Sequence, residues 1–167
     1  MKRSVALLVV GDPKVGKSSL ISTYISRHFG EVVPSVMTDA ALPYDLTASA
    51  VCVTIMDSSP SEAEREDLIR KIQAADCILA LYDVTSAQSL ESLGSVWLPL
   101  IRAVNSGCPK DKAVLVVGTK IDLLEDGLAE DLRPREEEMR LKSLLSEFTF
   151  AIECCRYRSY NTPQNIC

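Results

Sequence analysis

The sequence predicts an α/β domain built around a mostly parallel sheet with one antiparallel edge strand. Short apolar runs recur at residues 5–10, 51–56, 77–82 and 113–117. Each has the length of a strand and is apolar at successive positions, apart from Thr54, as strands covered on both faces are. Between the runs lie stretches whose apolar residues recur at spacings of three and four, the pattern of helices with one buried stripe. A Gly-rich turn at 11–16 joins the first strand to the first helix. At 167 residues the chain suits one domain, assigned to residues 1–155, with an atypical tail at 156–167.

The first helix is expected from Lys17 to about His28, with Leu20, Ile21, Tyr24 and Ile25 on one side and Phe29-Gly30 ending it. An irregular loop with Pro34 follows. Residues 40–46 form a short edge strand, because Pro43 is tolerated only at an edge or a bulge. After the strand that ends at Asp57, a turn with Pro60 leads into an acidic helix at 62–75 anchored by Leu68, Ile69 and Ile72. A long amphipathic helix spans 86–104, and Pro99 should kink it or end its first section. The strand at 113–117 is followed by a loop at 118–122. Pro134 suits the first turn of a helix reaching about Phe148, and residues 149–154 make a last short strand.

Composition excludes several classes. The net charge is -5, from 18 basic and 23 acidic residues, which argues against a general nucleic-acid surface. No apolar stretch is long enough to cross a bilayer, and the run after Lys2-Arg3 ends too early for a signal peptide. Neither a myristoylation glycine nor a prenylation box is present, so no membrane anchor is expected in this chain. The six Cys show no C-x-x-C spacing, which points to a reduced, cytoplasmic protein without structural zinc.

Gly11-Asp12-Pro13-Lys14-Val15-Gly16-Lys17-Ser18 matches the phosphate-loop pattern G-x-x-x-x-G-K-[ST] in full, between a strand and a helix. Its amides and the helix N-terminus suit phosphates, Lys17 suits the β- and γ-phosphates, and the Ser18 hydroxyl suits Mg²⁺. The expected architecture is therefore a three-layer P-loop NTPase. The motif implies a Mg-nucleotide without choosing ATP or GTP. Thr119-Lys120-Ile121-Asp122 follows a later strand at the same sheet edge. A carboxylate there accepts both N1-H and N2-H₂ of guanine but faces a lone pair on adenine, and the Lys120 stem can lie along the base.

With these motifs the chain resembles the Ras-like small GTPases, especially the Rho branch with its T-K-x-D. Within them it is similar to the N-terminal GTPase domain of the mitochondrial Rho (Miro) proteins. The stretches that carry this are residues 7–21, 31–34, 53–59, 97–101 and Glu153-Cys154, and the likeness covers about residues 4–155. It implies GTP/GDP and Mg²⁺ as cofactors, held by Gly11 to Ser19, Asp57, Thr119, Lys120 and Asp122. It also implies Cys154 and Cys155 beside the guanine, and Lys17 and Ser18 as the catalytic pair. Ser18 and Asp57 would hold the metal, together with a first-switch hydroxyl from Ser35 or Thr38, or from neither. Effectors or regulators would read residues 31–38 and 58–66. The location implied is the cytosolic face of the mitochondrial outer membrane, if the chain is part of a longer anchored protein.

Four departures stand against the family pattern. Pro60 replaces the Gly of D-x-x-G and has no N–H for the γ-phosphate. Ser61 stands where a Gln orients the attacking water, and Miro proteins also lack that ordinary pair. Cys155-Arg156 replaces the small residues of the loop that closes over guanine, and residues 158–167 lack the pattern of a closing amphipathic helix. The expectation is a slow GTPase switch, with a pseudo-GTPase binding module that holds nucleotide constitutively or holds none as the alternative, and a P-loop kinase or ATPase behind both.

Overall fold

A computed structural model describes residues 4–30, 33, 37–43, 51–58, 64–106, 112–123 and 150–156. The strands are β1 (Ser4–Val10), β2 (Ala40–Leu42), β3 (Cys52–Asp57), β4 (Cys77–Asp83), β5 (Ala113–Thr119) and β6 (Phe150–Arg156). The helices are α1 (Lys17–Ser26), α2 (Arg65–Ala74), α3 (Ala87–Ser92) and α4 (Leu98–Asn105). The six strands lie in the order β2-β3-β1-β4-β5-β6. Every pair is parallel except β2 with β3, which is antiparallel as the sequence predicts for the edge strand.

Alternation along the buried strands sends side chains to two separate cores. Leu8 and Val10 pack with Ile78, Ala80, Val114 and Val116 against α2 and α4, where Ile72, Leu98 and Ile101 are fully or almost fully buried. Val9, Ile55, Leu81 and Val117 face the opposite way onto Ile21 of α1. The result is three layers, helix–sheet–helix. α2 is anchored on the first of these cores by its two buried residues, Leu68 and Ile72, and burying a Leu or Ile contributes on the order of 1.5–3 kcal/mol.

Element boundaries differ from the sequence reading where backbone chemistry intervenes. α1 stops at Ser26 because Arg27 turns left-handed at φ 59°, two residues before the expected Phe29-Gly30 stop. β2 ends at Leu42, directly before Pro43. Pro99 does not end the long helix. A π-helical turn over Leu93–Trp97, with the Leu98 N–H donating to the Leu93 carbonyl, precedes it and leads into α4 with Pro99 in its first turn. Such a widened turn absorbs the missing donor and the ring clash. β6 runs through Arg156, beyond the expected end at 154. The expected helix at 134–148, the tail from 157, and Ser35, Pro60 and Ser61 lie outside the described residues.

The topology fixes where a ligand can sit. β1 is flanked by β3 on one side and β4 on the other, so strand order reverses at β1. Open α/β sheets bind ligands at that reversal, beyond the carboxyl ends of the strands. β1, β3, β4 and β5 all deliver their C-terminal residues to this edge, with Val9 level with Asp57 and Asp83 level with Thr119.

Candidate functional site: a phosphate loop wired to three strand ends

The turn after β1 is shaped by two glycines that no other residue replaces. Gly11 has φ 143°, and a Cβ on it would lie 2.4 Å from the Leu81 carbonyl oxygen of β4. Gly16 has φ 98° and is the left-handed residue from which α1 starts. Pro13 and Lys14 sit at the exposed tip, Lys14 itself left-handed at φ 66°. The N-terminus of α1 thus opens at the sheet edge, where its free amides and dipole favour an anion.

Lys17 is buried, 6% exposed, and its ammonium donates to the Gly11 carbonyl at 2.9 Å and the Asp12 carbonyl at 3.0 Å. Burial pushes its pKa below the ordinary lysine value, and the Asp57 and Asp12 carboxylates pull it back up. The Ser18 hydroxyl donates to Asp57 Oδ2 at 2.6 Å. Met37 donates its main-chain N–H to the same oxygen at 2.9 Å. The second carboxylate oxygen, Asp57 Oδ1, is buried with no hydrogen-bond partner.

That oxygen tests the fit of a magnesium ion. A fully buried carboxylate oxygen normally finds a partner, and Mg²⁺ is a hard cation that takes oxygen ligands and keeps several waters. Ser18 Oγ and the Asp57 carboxylate form an all-oxygen pair of that kind, so the residues fit the ion. Among the described residues of the first switch stretch, Met37 reaches Asp57 through its main chain, while Thr38, the second candidate there, is exposed.

The base side is tied to the phosphate side. Thr119 ends β5 rather than lying in the expected loop, and it is buried. Its hydroxyl contacts the Val15 carbonyl at 2.6 Å and the Tyr82 carbonyl at 3.0 Å. One side chain therefore joins the ends of β4 and β5 to the phosphate loop. Lys120 is left-handed at φ 61°, and Asp122 lies in the single turn of 3₁₀-helix at Ile121–Leu123. Cys154 lies within β6 as expected, and Cys155 and Arg156, expected in the loop after it, also lie within β6, with Cys155 level with Val117 and Arg156 level with Gly118. Ser19 lies in the first turn of α1.

Four partners in this region were not legible from the sequence. Asp83 accepts the Lys120 ammonium at 2.7 Å on Oδ2 and the Thr85 N–H and hydroxyl at 2.9 and 2.6 Å on Oδ1. Burial raises the Asp83 pKa, but the bonds from Lys120 and Thr85 outweigh it and hold the carboxyl below the ordinary aspartate range. Lys71 of α2 donates to the Asp57 carbonyl at 2.8 Å and pairs with Asp39 at 3.5 Å. The Trp97 indole N–H donates to Asp12 Oδ1 at 2.8 Å. Met37 is the fourth. Only the acidic end of the run Leu81-Tyr82-Asp83 offered any sequence signal. Arg27 stacks its guanidinium 5.3 Å over the Tyr24 ring, as befits a surface residue. Cys52 and Cys77 are free thiols, and no described helix is long and apolar enough to cross a membrane.

Comparison with known proteins agrees with this geometry. The family described as "Ras family" matches residues 6–151. Mitochondrial Rho GTPase 1 from Mycosarcoma maydis is 30% identical over 166 residues. That alignment takes in 99% of this chain but 21% of the relative, so the chain spans about a fifth of that protein's length.

Proposed function

The chain belongs to the Ras family, and from that premise we propose that it is a guanine-nucleotide switch that hydrolyses GTP slowly with Mg²⁺. The observation that carries the reading is the Thr119 hydroxyl, 2.6 Å from the Val15 carbonyl, which couples a guanine-type T-K-x-D turn to the phosphate loop. Lys17, the loop amides and the N-terminus of α1 bind the phosphates and stabilise charge that develops on them. Ser18 and Asp57 hold Mg²⁺, with Ser35 as the further hydroxyl that the family pattern implies. The ion supplies charge neutralisation at the β- and γ-phosphates when bound. Asp122 accepts from the guanine edge, the Lys120 stem lies along the ring, and Cys154 and Cys155 lie near O6.

Turnover is slow because Pro60 offers no amide to the γ-phosphate and Ser61 is too short to orient water, so a partner completes the site. Residues 31–38 and 58–66 change with the nucleotide and are what effectors read. By likeness to a mitochondrial Rho GTPase, the chain acts on the cytosolic face of mitochondria, in their transport or morphology. Pro60, Ser61, Cys155 and Arg156 favour a second reading, a pseudo-GTPase module with a fixed surface and little or no turnover.

The test is titration of the purified chain with fluorescent GDP, GTP and ATP, with and without Mg²⁺. Tight guanine-specific binding strengthened by Mg²⁺ is expected. Equal binding of ATP, or none by a folded sample, refutes the switch. A single-turnover GTP assay and spectra with GDP and a GTP analogue then separate the two readings.

A further inference from the structure

We infer that Trp97 is a positioning residue for the phosphate loop, its indole N–H holding the Asp12 carboxylate toward the α2–α4 layer and off the anion site. The inference rests on the nucleotide reading above. Asp12 puts a negative charge inside a loop whose amides, lysine and helix terminus are arranged for anions, and that charge opposes phosphate binding unless it is fixed elsewhere. Trp97 donates to Asp12 Oδ1 at 2.8 Å. It is buried at 7% exposure in the core cluster shared by α2 and α4, so the bond draws the carboxylate to that side of the sheet. The Asp12 carbonyl is taken by Lys17 at 3.0 Å, which fixes the residue from its main chain as well.

The local fold provides for this bond. Trp97 is the last residue of the π-helical turn Leu93–Trp97. Such a turn inserts one extra residue into the helical register and rotates the residues after it, and π-turns recur at functional sites in helices. Pro99 two residues later makes the ordinary α register unfavourable there. The π-turn and the bond to the loop therefore belong to one arrangement.

The chain has one tryptophan, so both parts of the inference are readable. In the free, ¹⁵N-labelled protein, Asp12→Asn should shift the single indole N–H resonance, since the partner changes from a carboxylate to an amide. Binding of inorganic pyrophosphate and of GDP is then measured for the wild type, Trp97→Phe, and Trp97→Phe with Asp12→Asn. Losing a hydrogen bond to a charged group predicts about tenfold weaker binding of both ligands in Trp97→Phe. Adding Asp12→Asn removes the released charge and should return the affinity to within about twofold of the wild type. A merely structural tryptophan gives no such rescue. An unmoved indole resonance, unchanged binding by Trp97→Phe, or a loss that Asp12→Asn does not repair each overturns the inference alone. If Trp97→Phe fails to fold, the resonance decides. A folded wild type that binds neither ligand overturns the nucleotide reading, and this role with it.

Discussion

Replacing Thr119 by Val tests the link between the two halves of the site. The substitution keeps the branched shape and removes only the hydroxyl, which lies 2.6 Å from the Val15 carbonyl and 3.0 Å from the Tyr82 carbonyl. Thr119 is 3% exposed, so water cannot replace the lost donor. One buried hydrogen bond of this kind is worth about 1–2 kcal/mol once its desolvated partner is included. For a domain of this size each kcal/mol moves the melting temperature by roughly 2–4 °C, so the variant should melt about 3–6 °C lower. Thr119→Ser keeps the hydroxyl and loses one methyl, about 0.8 kcal/mol, and should lie between the two. Thermal unfolding followed by circular dichroism at neutral pH measures all three. A Val variant that melts with the wild type, or above the Ser variant, refutes the reasoning, because the hydroxyl then carries no stabilising bond.

Asp57→Asn retains an acceptor for Ser18 and Met37 but gives up the anionic oxygen that has no partner. Mg²⁺ should then no longer tighten GDP binding, which titration with and without the ion reads directly. Asp83→Asn releases Lys120 and should weaken GDP binding about tenfold while leaving inorganic pyrophosphate unaffected. The Asp83 pKa is depressed in the folded state, so its stabilisation is present above the unfolded value near about 4 and is lost as pH falls through the folded value. Wild type and Asp83→Asn should therefore differ in melting temperature at pH 7 and converge in acid. Gly11→Ala places a methyl 2.4 Å from the Leu81 carbonyl at φ 143°, which predicts a loss of about 4 kcal/mol or more, seen as a collapse of the thermal transition.

What the sequence displayed was whatever is encoded within one element. Largely apolar runs marked four parallel strands, Pro43 marked the edge strand though not its end at Leu42, and the G-x-x-x-x-G-K-S spacing marked the loop with its flanking strand and helix. What it hid was contact between elements. Trp97 and Asp12 are 85 residues apart and Lys120 and Asp83 are 37 apart, and their meeting depends on sheet register and helix rotation. The π-turn is hidden for a related reason. Its apolar residues Leu93 and Trp97 also fit an ordinary helix, and only the backbone bond from Leu98 to Leu93 distinguishes the two.

These cross-element bonds share one consequence for the phosphate loop. In a trans peptide the C=O and the following N–H point opposite ways, and the described chain has no cis bond. Lys17 holds the Gly11 carbonyl and Thr119 holds the Val15 carbonyl. The amide of Gly16 is thereby turned away from Thr119, to the other side of the loop. The Asp12 carbonyl is held too, but Pro13 comes next and adds no donor there. Folding has thus already ordered these groups, so a ligand's binding energy is not spent on ordering them. Stability and affinity should therefore fall together at Thr119, whose bond serves both. They should separate at Asp57, where the unpartnered oxygen adds nothing to the fold and becomes useful only when an ion meets it.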